Sequence, residues 1–351
     1  MTSRSRLDSD APRVIGIDPG TVSIDVCGLA GDTVFLDRAV ETAAALADPA
    51  AFLTMLYEVA PVDLIVGPSG YGLPLVPGLE LTEDDVRLAV LTESGDTGGL
   101  GGLSSLIRAL ASSRLPVVFT PGVVHLPSVP PYRKHNRVDM GTADKVCAVA
   151  LAIDEQRRRR RCAPGDVSLI LLELGGAFTA AIAVDRGRIV DGVGGSSGPI
   201  GRRAAGAWDG EVAYLAEHVT KAMLFGGGAE SITESAAAGD AAYVESGLKA
   251  IAALMISVPG PAEIVLSGRF AREYADAFAA RLSRPVHVLD GFASVAKHAA
   301  QGAALIANGL AGGSARAIVD TLGLRDARGS ALDYLTVIPR DAARRRLGLV
   351  A

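Results

Sequence analysis

From residue 14 the chain runs apolar into an acidic turn that carries Pro and Gly, and then alternates: VIGIDPGTVSIDV. Apolar runs broken by such a turn predict two strands of a hairpin. The pattern predicts a third short strand at 32–37, a helix at 49–59 and a compact strand at 63–67. The loop PSGYGLPLVPG follows. Over 82–99 the periodicity weakens and ends in GDTGGLGG; a helix is expected at 103–112 and a strand at 116–120. A polar loop, 132–138, leads into an Ala-rich helix over 141–153. The basic run 157–161 is expected to be that helix's solvated end, where cations favour the C-terminal dipole.

After Pro164 and Gly165 the pattern restarts. A buried strand is expected at 167–173, then the turn LGGAF, then two strands at 179–184 and 188–193. Helices follow at roughly 211–222 and 240–257, a strand at 263–268, a helix at 270–282, a strand at 286–288 and a small-residue helix at 294–307. Segment 314–351 remains unassigned. The two halves thus begin alike, VIGIDPGTVSIDV and LILLELGGAFTAAIAV. Each ends a strand in an acid, Asp18 or Glu173, followed by a Gly turn and a hydroxyl residue. Two related halves facing each other would set two acids and two Gly turns across one cleft. There they could grip the phosphates of a nucleotide, with Mg²⁺ near the carboxylates.

Composition narrows the class. At 351 residues the chain exceeds the size at which one core stops growing, so two domains are expected. It is 49% hydrophobic and 5% aromatic, which favours α/β packing over an aromatic-cored sandwich. A net charge of −5 argues against a general nucleic-acid binder. No apolar run reaches membrane-spanning length, and residues 1–12 read as a disordered polar tail without a signal-peptide core. Cys27, Cys147 and Cys162 have neither zinc nor redox-pair spacing, which suits a reducing cytoplasm. His125, His218, His287 and His298 lack metal-ligand spacing and read as structural or surface residues.

In this order the motifs resemble the sugar kinase, Hsp70 and actin superfamily. IGIDPGT is similar to its first phosphate loop, ELGGAFT to its second, and EIVLSGRF to its adenosine motif, with Arg269 where a second Gly is usual. GTADKVCAVALAI and AKHAAQGAALIANG resemble the two helices that connect the lobes; Ala148, Ala152, Gly302, Ala303 and Ala304 would let them cross closely. IDPGTVSIDV, VGPSGYGLPL and MGTADK together resemble a largely uncharacterised family labelled predicted butyrate kinases. The resemblance implies an α/β fold of two related ribonuclease-H-like lobes, the actin-like ATPase fold, around an interlobe nucleotide cleft. The first lobe would take 13–160, joined by 311–351; the second would take 161–310, including the second connecting helix.

The resemblance also implies a site. Asp18 and Glu173 would position Mg²⁺; Gly20 and Thr21 would face the β and γ phosphates of ATP, and Gly175, Gly176 and Thr179 would oppose them. Gly268 and Arg269 would lie by the adenosine. Asp144 matches an acid at a connecting-helix start, where two roles stay open: a base toward a substrate oxygen, or a helix cap. Phosphoryl transfer to a carboxylate needs cations, and Arg133, His135 and Arg137 are the nearest supply in sequence. The loop carrying Ser69 and Tyr71 is expected to line the acceptor pocket. The leading expectation is therefore an ATP-dependent kinase of a small metabolite, plausibly a carboxylate, in the cytoplasm. The alternative is an ATP-driven switch with slow hydrolysis and a protein partner. The expected partner of the kinase is its small-molecule acceptor, without nucleic acid or membrane; a homodimer stays open.

Overall fold

A computed structural model describes residues 11–92, 100–260 and 262–349. The first half contains β1 (Arg13–Pro19), β2 (Ser23–Ala30), β3 (Thr33–Glu41), α1 (Thr42–Ala47), α2 (Pro49–Glu58), β4 (Leu64–Val66), β5 (Val76–Pro77), α3 (Glu83–Val90), α4 (Leu100–Ala111), β6 (Val117–Phe119), α5 (Pro131–Lys134) and α6 (Ala143–Arg160). The second contains β7 (Leu169–Leu174), β8 (Thr179–Asp185), β9 (Arg188–Val193), α7 (Gly210–Leu215), α8 (Ala236–Met255), β10 (Glu263–Ser267), α9 (Ala271–Ala279), β11 (Val286–Val288) and α10 (His298–Leu310). The chain continues through α11 (Arg316–Leu322) and α12 (Arg340–Arg346).

The halves are built alike. One sheet runs β3-β2-β1-β4-β6-β5, the other β11-β10-β7-β8-β9. In each, an antiparallel three-strand meander is extended by two parallel strands. β7 stands where β1 stands, β10 where β4 stands, and β11 where β6 stands. Helices α6 and α10 lie between the sheets, with the apolar inner faces of both sheets against them. A second core joins the outer face of the first sheet to α1–α4. A third joins the outer face of the second sheet to α8 and α9. This is the two-lobe architecture the resemblance implied.

Period-two alternation in the strands decides what faces the gap. On β1, Val14 joins the central core while Ile15 and Ile17 join the outer one. Asp18 therefore shares the face of Val14. On β7, Leu169 and Leu171 point inward and Ile170, Leu172 and Leu174 outward, so Glu173 is also turned toward the gap. The same count on β8 puts Thr179 with Ala181 and Ala183 on the outer face. Thr179 is fully buried there, which corrects its expected place on the phosphate loop.

Several boundaries differ from the pattern reading. A helix forms at Glu83–Val90, where periodicity had weakened, because Thr82 and Asp85 exchange hydrogen bonds in a capping box. The expected helix at 211–222 is one short helix, Gly210–Leu215, followed by a 3-10 turn. α10 starts at His298 rather than 294, because three backbone N–H groups before it are taken by Asp37. The C-terminal segment is not one unit. α11 packs on α6 and α10, whereas Leu347 and Leu349 cluster with Leu88 and Leu91 on the first lobe. The tail expected over 1–12 and the loop 93–99 fall largely or wholly outside the described residues. No described helix is long and apolar enough to cross a membrane.

Candidate active site

A cleft of about 800 Å³ opens between the sheets at the strand ends where Asp18 and Glu173 stand. Its size falls in the range of small-molecule sites, roughly 300–1,000 Å³. One half is lined by Gly175, Gly176, Gly268, Arg269, Lys297 and His298, the other by Ser69, Tyr71, Val90, Leu103, Lys221 and Phe225. Asp18, Asp144, Lys145 and Glu173 lie along the cleft as well.

Four charged groups form its centre. Lys145, on the first turn of α6, reaches Asp144 Oδ2 at 2.5 Å and Glu173 Oε1 at 2.9 Å. Asp144 also accepts from the Thr142 hydroxyl. Burial works against the Lys145 charge, but the two carboxylates outweigh it and hold its pKa above the ordinary lysine value. Burial likewise opposes the charge of Asp144. The neighbouring ammonium and three hydrogen bonds win, and its carboxyl sits below the usual range. Glu173 goes the other way: burial raises it despite Lys145. Its Oε2 is buried and, among the described residues, has no hydrogen-bond partner. Asp18 is only 7% exposed, and no described group donates a hydrogen bond to its carboxylate. Burial, then the Asp144 charge, pushes it up to about 7.

The Gly20 turn is held from the opposite side. Asp18 is directly opposite Asp25 in the β1–β2 ladder, a like-charge pair that would be unfavourable alone. Lys297, just before α10, resolves it by bonding Asp25 at 2.6 Å and Ser23 Oγ at 2.8 Å. Its ammonium passes over Gly20. A Cβ there would stand 2.5 Å from Lys297 Nζ and 2.7 Å from the Ser23 carbonyl oxygen. Gly20 is thus required by close approach and not by a left-handed backbone. Beyond it, Ser267 Oγ and His298 Nδ1 are 2.9 Å apart, and burial lowers the His298 pKa.

Of the residues expected from sequence, the cleft brings together Asp18, Gly20, Thr21, Ser69, Tyr71, Asp144, Glu173, Gly175, Gly176, Gly268 and Arg269. Gly268 is left-handed, at φ +91°, and a Cβ would meet the Leu174 carbonyl oxygen at 2.6 Å, so its own turn already demands glycine. Ser69 is mostly occupied in structure: its hydroxyl donates to the Gly67 carbonyl and accepts from Thr120 N–H. Arg133, His135 and Arg137 are not on the cleft wall. Arg133 bonds the Val190 carbonyl at 2.8 Å and lies 3.6 Å from Asp191, at the edge strand of the second sheet. His135 faces Thr336, and Arg137 points at the Ser197 carbonyl. Their proximity in sequence to α6 does not carry over in space, because groups of β9, Ser197 and Thr336 take up the three side chains. The Arg133→Ala variant is accordingly expected to lose about 1 kcal/mol of stability in urea melts. Its KM for any acceptor should stay at the wild-type value; a large KM change would return Arg133 to the site.

Lys145 and Lys297 were missed in the sequence. Each directly precedes or occupies the first turn of a connecting helix, and that placement is the signal that could have found them. His298, read as structural or surface, also lines the cleft.

Residues 16–337 match the family described as "Protein of unknown function (DUF1464)". No curated protein matches the chain in sequence. Among solved structures, the chain resembles a propionate kinase from Francisella tularensis subsp. tularensis SCHU S4, at 13% identity over 83% of this chain and 98% of that one, TM-score 0.56. It also resembles acetate kinase from Entamoeba histolytica, at 11% identity over 77% and 86% of the two chains, TM-score 0.55. Acetate kinase from Porphyromonas gingivalis gives 13% identity over 74% and 84%, TM-score 0.52. At such identities the likeness is one of fold, and the fold is that of the two-lobe actin-like ATPases. The family match covers most of the chain, and the protein belongs to the DUF1464 family.

Proposed function

We propose that this protein is an ATP-dependent kinase that transfers a phosphoryl group, with Mg²⁺, to a small metabolite, and that the acceptor is a short carboxylate. The observation that carries the reading is the facing pair of strand-end acids, Asp18 and Glu173, each followed by a glycine turn on the wall of one cleft. Backbone N–H groups of such turns suit phosphate oxygens. The nucleotide would lie in the half with Gly175, Gly176, Gly268 and His298, with its phosphates toward Gly20 and Lys297.

The acids suit Mg²⁺, which takes one or two carboxylates, keeps waters and shares substrate phosphates. Asp18, nearly buried and without a donor, and the unpartnered Oε2 of Glu173 are the groups that would hold it. When bound, the metal neutralises charge on the phosphates being transferred. The protein's own groups do the rest. Lys145 and Lys297 add fixed positive charge, and the two lobes exclude water from the reacting groups.

Asp144 bears on the acceptor. A general base works best with a pKa near the operating pH. Asp144 is held below the usual range by Lys145, which makes it a weak base. An alcohol acceptor needs deprotonation; a carboxylate does not. The acceptor half, with Val90, Leu103 and Phe225 beside the Tyr71 hydroxyl and Lys221, offers a small apolar pocket with a cation. The solved proteins that share the fold include kinases named for acetate and propionate.

The test uses the purified full chain with Mg-ATP, a panel of short carboxylates and matched alcohols, and ADP release, with hydroxylamine to trap acyl phosphates. ATP at a hundred times its dissociation constant adds about 2.7 kcal/mol of stability. A higher melting midpoint and ADP release dependent on one chain length of acid are expected. No midpoint shift with any nucleotide removes the reading. ADP release indifferent to every acceptor turns it toward a switch.

A further inference from the structure

We propose that Lys145 is a built-in cation that stands in for the metal while the cleft is free of nucleotide, so that a divalent cation enters as its nucleotide complex and not alone. The inference rests on the function proposed above and adds an order of binding to it.

The geometry is direct. One ammonium nitrogen bonds two carboxylates that belong to different parts of the fold, Asp144 on α6 and Glu173 on β7. Both bonds are charge-assisted, the strong class of hydrogen bond. The lysine side chain is 14% exposed, the Glu173 side chain 16% and the Asp144 side chain 24%, so water screens the group little. A third acid, Asp18, is more than nine-tenths buried and lines the same cleft, and among the described residues no group donates a hydrogen bond to its carboxylate. The charge of Lys145 acts on it too, as does that of Lys297. Lys297 is already bonded to Asp25 and Ser23. Lys145 is therefore the cation that joins the two catalytic-side acids.

A bare divalent cation held by Asp18 and the free Oε2 of Glu173 would share the Glu173 carboxylate with the Lys145 ammonium, which already bonds its Oε1. Two positive charges would then face each other across one buried carboxylate, and relieving that repulsion means moving the ammonium off Glu173; breaking a buried pair in that way is strongly unfavourable. A metal that arrives on a nucleotide brings phosphate oxygens with it. The displaced ammonium then finds its counter-charge on those phosphates, and the penalty disappears. Metal and nucleotide thereby help each other to bind, by the same factor in either direction.

The experiment titrates Mn²⁺ into the purified full chain and reads free Mn²⁺ by its spin-resonance signal, with and without ADP. The wild type is expected to bind Mn²⁺ alone weakly and at least about tenfold more tightly with ADP. Lys145→Met removes the competitor. It should bind Mn²⁺ alone at least about tenfold more tightly than the wild type, while the gain from ADP shrinks. Lys145→Gln keeps a donor without the charge and should move the same way. Mn²⁺ should also raise the melting midpoint of both variants more than that of the wild type. Unchanged or weaker binding of Mn²⁺ alone in both variants overturns the proposal. If both variants purify unfolded, refolding with Mn²⁺ should recover them, and its failure to recover either also overturns it. An absence of ADP binding to the wild type, with or without Mn²⁺, instead removes the nucleotide reading, and the Mn²⁺-alone arm still decides the role of the lysine.

Discussion

Asp18→Asn should lose activity and gain stability together. The substitution keeps the shape of the strand end and removes one negative charge from a cleft that also holds Asp144, Glu173 and, across the ladder, Asp25. If Asp18 helps to hold Mg²⁺ on the phosphates, turnover should fall by about 10²–10³, the cost of removing one preorganised charge-stabilising group. Nucleotide binding should weaken far less, since both glycine turns remain. The stability effect follows from the pKa. The folded-state value of Asp18, about 7, lies above its unfolded value. A group of that kind contributes stability at low pH, which is lost as pH rises toward the folded pKa. With metal removed by chelation, the wild type should lose ground to Asp18→Asn from about pH 4 upward. The gap should level off above about pH 7, at no more than about 4 kcal/mol. Urea melts at several pH values measure it. Wild-type turnover in a folded Asp18→Asn protein ends the metal assignment; a gap that shrinks as pH rises contradicts the charge account.

Gly302→Ala should be among the most damaging single-methyl changes in the chain. α6 and α10 cross between the sheets with their backbones in contact. A Cβ at Gly302 would stand 1.8 Å from the Cys147 carbonyl oxygen and 2.4 Å from its carbon. Backbone cannot yield as a side-chain tip can, so the helices must separate. Both sheets pack on this pair, and separation would loosen the central core on two faces. Overpacking commonly costs 1–3 kcal/mol and sometimes more. A clash with backbone at this distance belongs at the upper end, at least about 3 kcal/mol. In a chain of this length that lowers the melting midpoint by roughly 5–10 °C. Gly165→Ala is the control: nothing lies within 4 Å of a Cβ there, and its midpoint should barely move. Equal midpoints for the two variants would mean the crossing is not held tightly.

Much of this arrangement was legible in the chain, and for a physical reason. Strand alternation is a local property, and it carries Asp18 and Glu173 to the inner faces without knowledge of tertiary structure. The same count applied to β8 would have excluded Thr179, since that residue shares its parity with Ala181 and Ala183. The small-residue helices were legible because close crossing leaves its mark in composition. Cations were not. Lys145 and Lys297 act on acids from other strands, and Arg133 and Arg137 are withdrawn by carbonyls some sixty residues away in sequence. Neither pairing has a local signature. Helix α3 was missed for a different reason: its start is set by a Thr82–Asp85 capping box and not by apolar period.

The carboxylate of Asp37 has a mechanical meaning. It accepts three backbone hydrogen bonds, from Ser294 at 2.8 Å, Val295 at 3.0 Å and Ala296 at 2.6 Å. The next residue, Lys297, is tied to Ser23 and Asp25. A segment that follows β11 in sequence is thus fastened to β2 and β3. Kinematically, the loop 294–297 travels with the first sheet. Were the sheets to rotate about the crossing helices, the gap between the Gly20 and Gly175 turns would change, while the reach from Lys297 to Gly20 would stay fixed. Half of the grip on a bound anion would then move as a single rigid piece, and opening would be felt only at the far jaw.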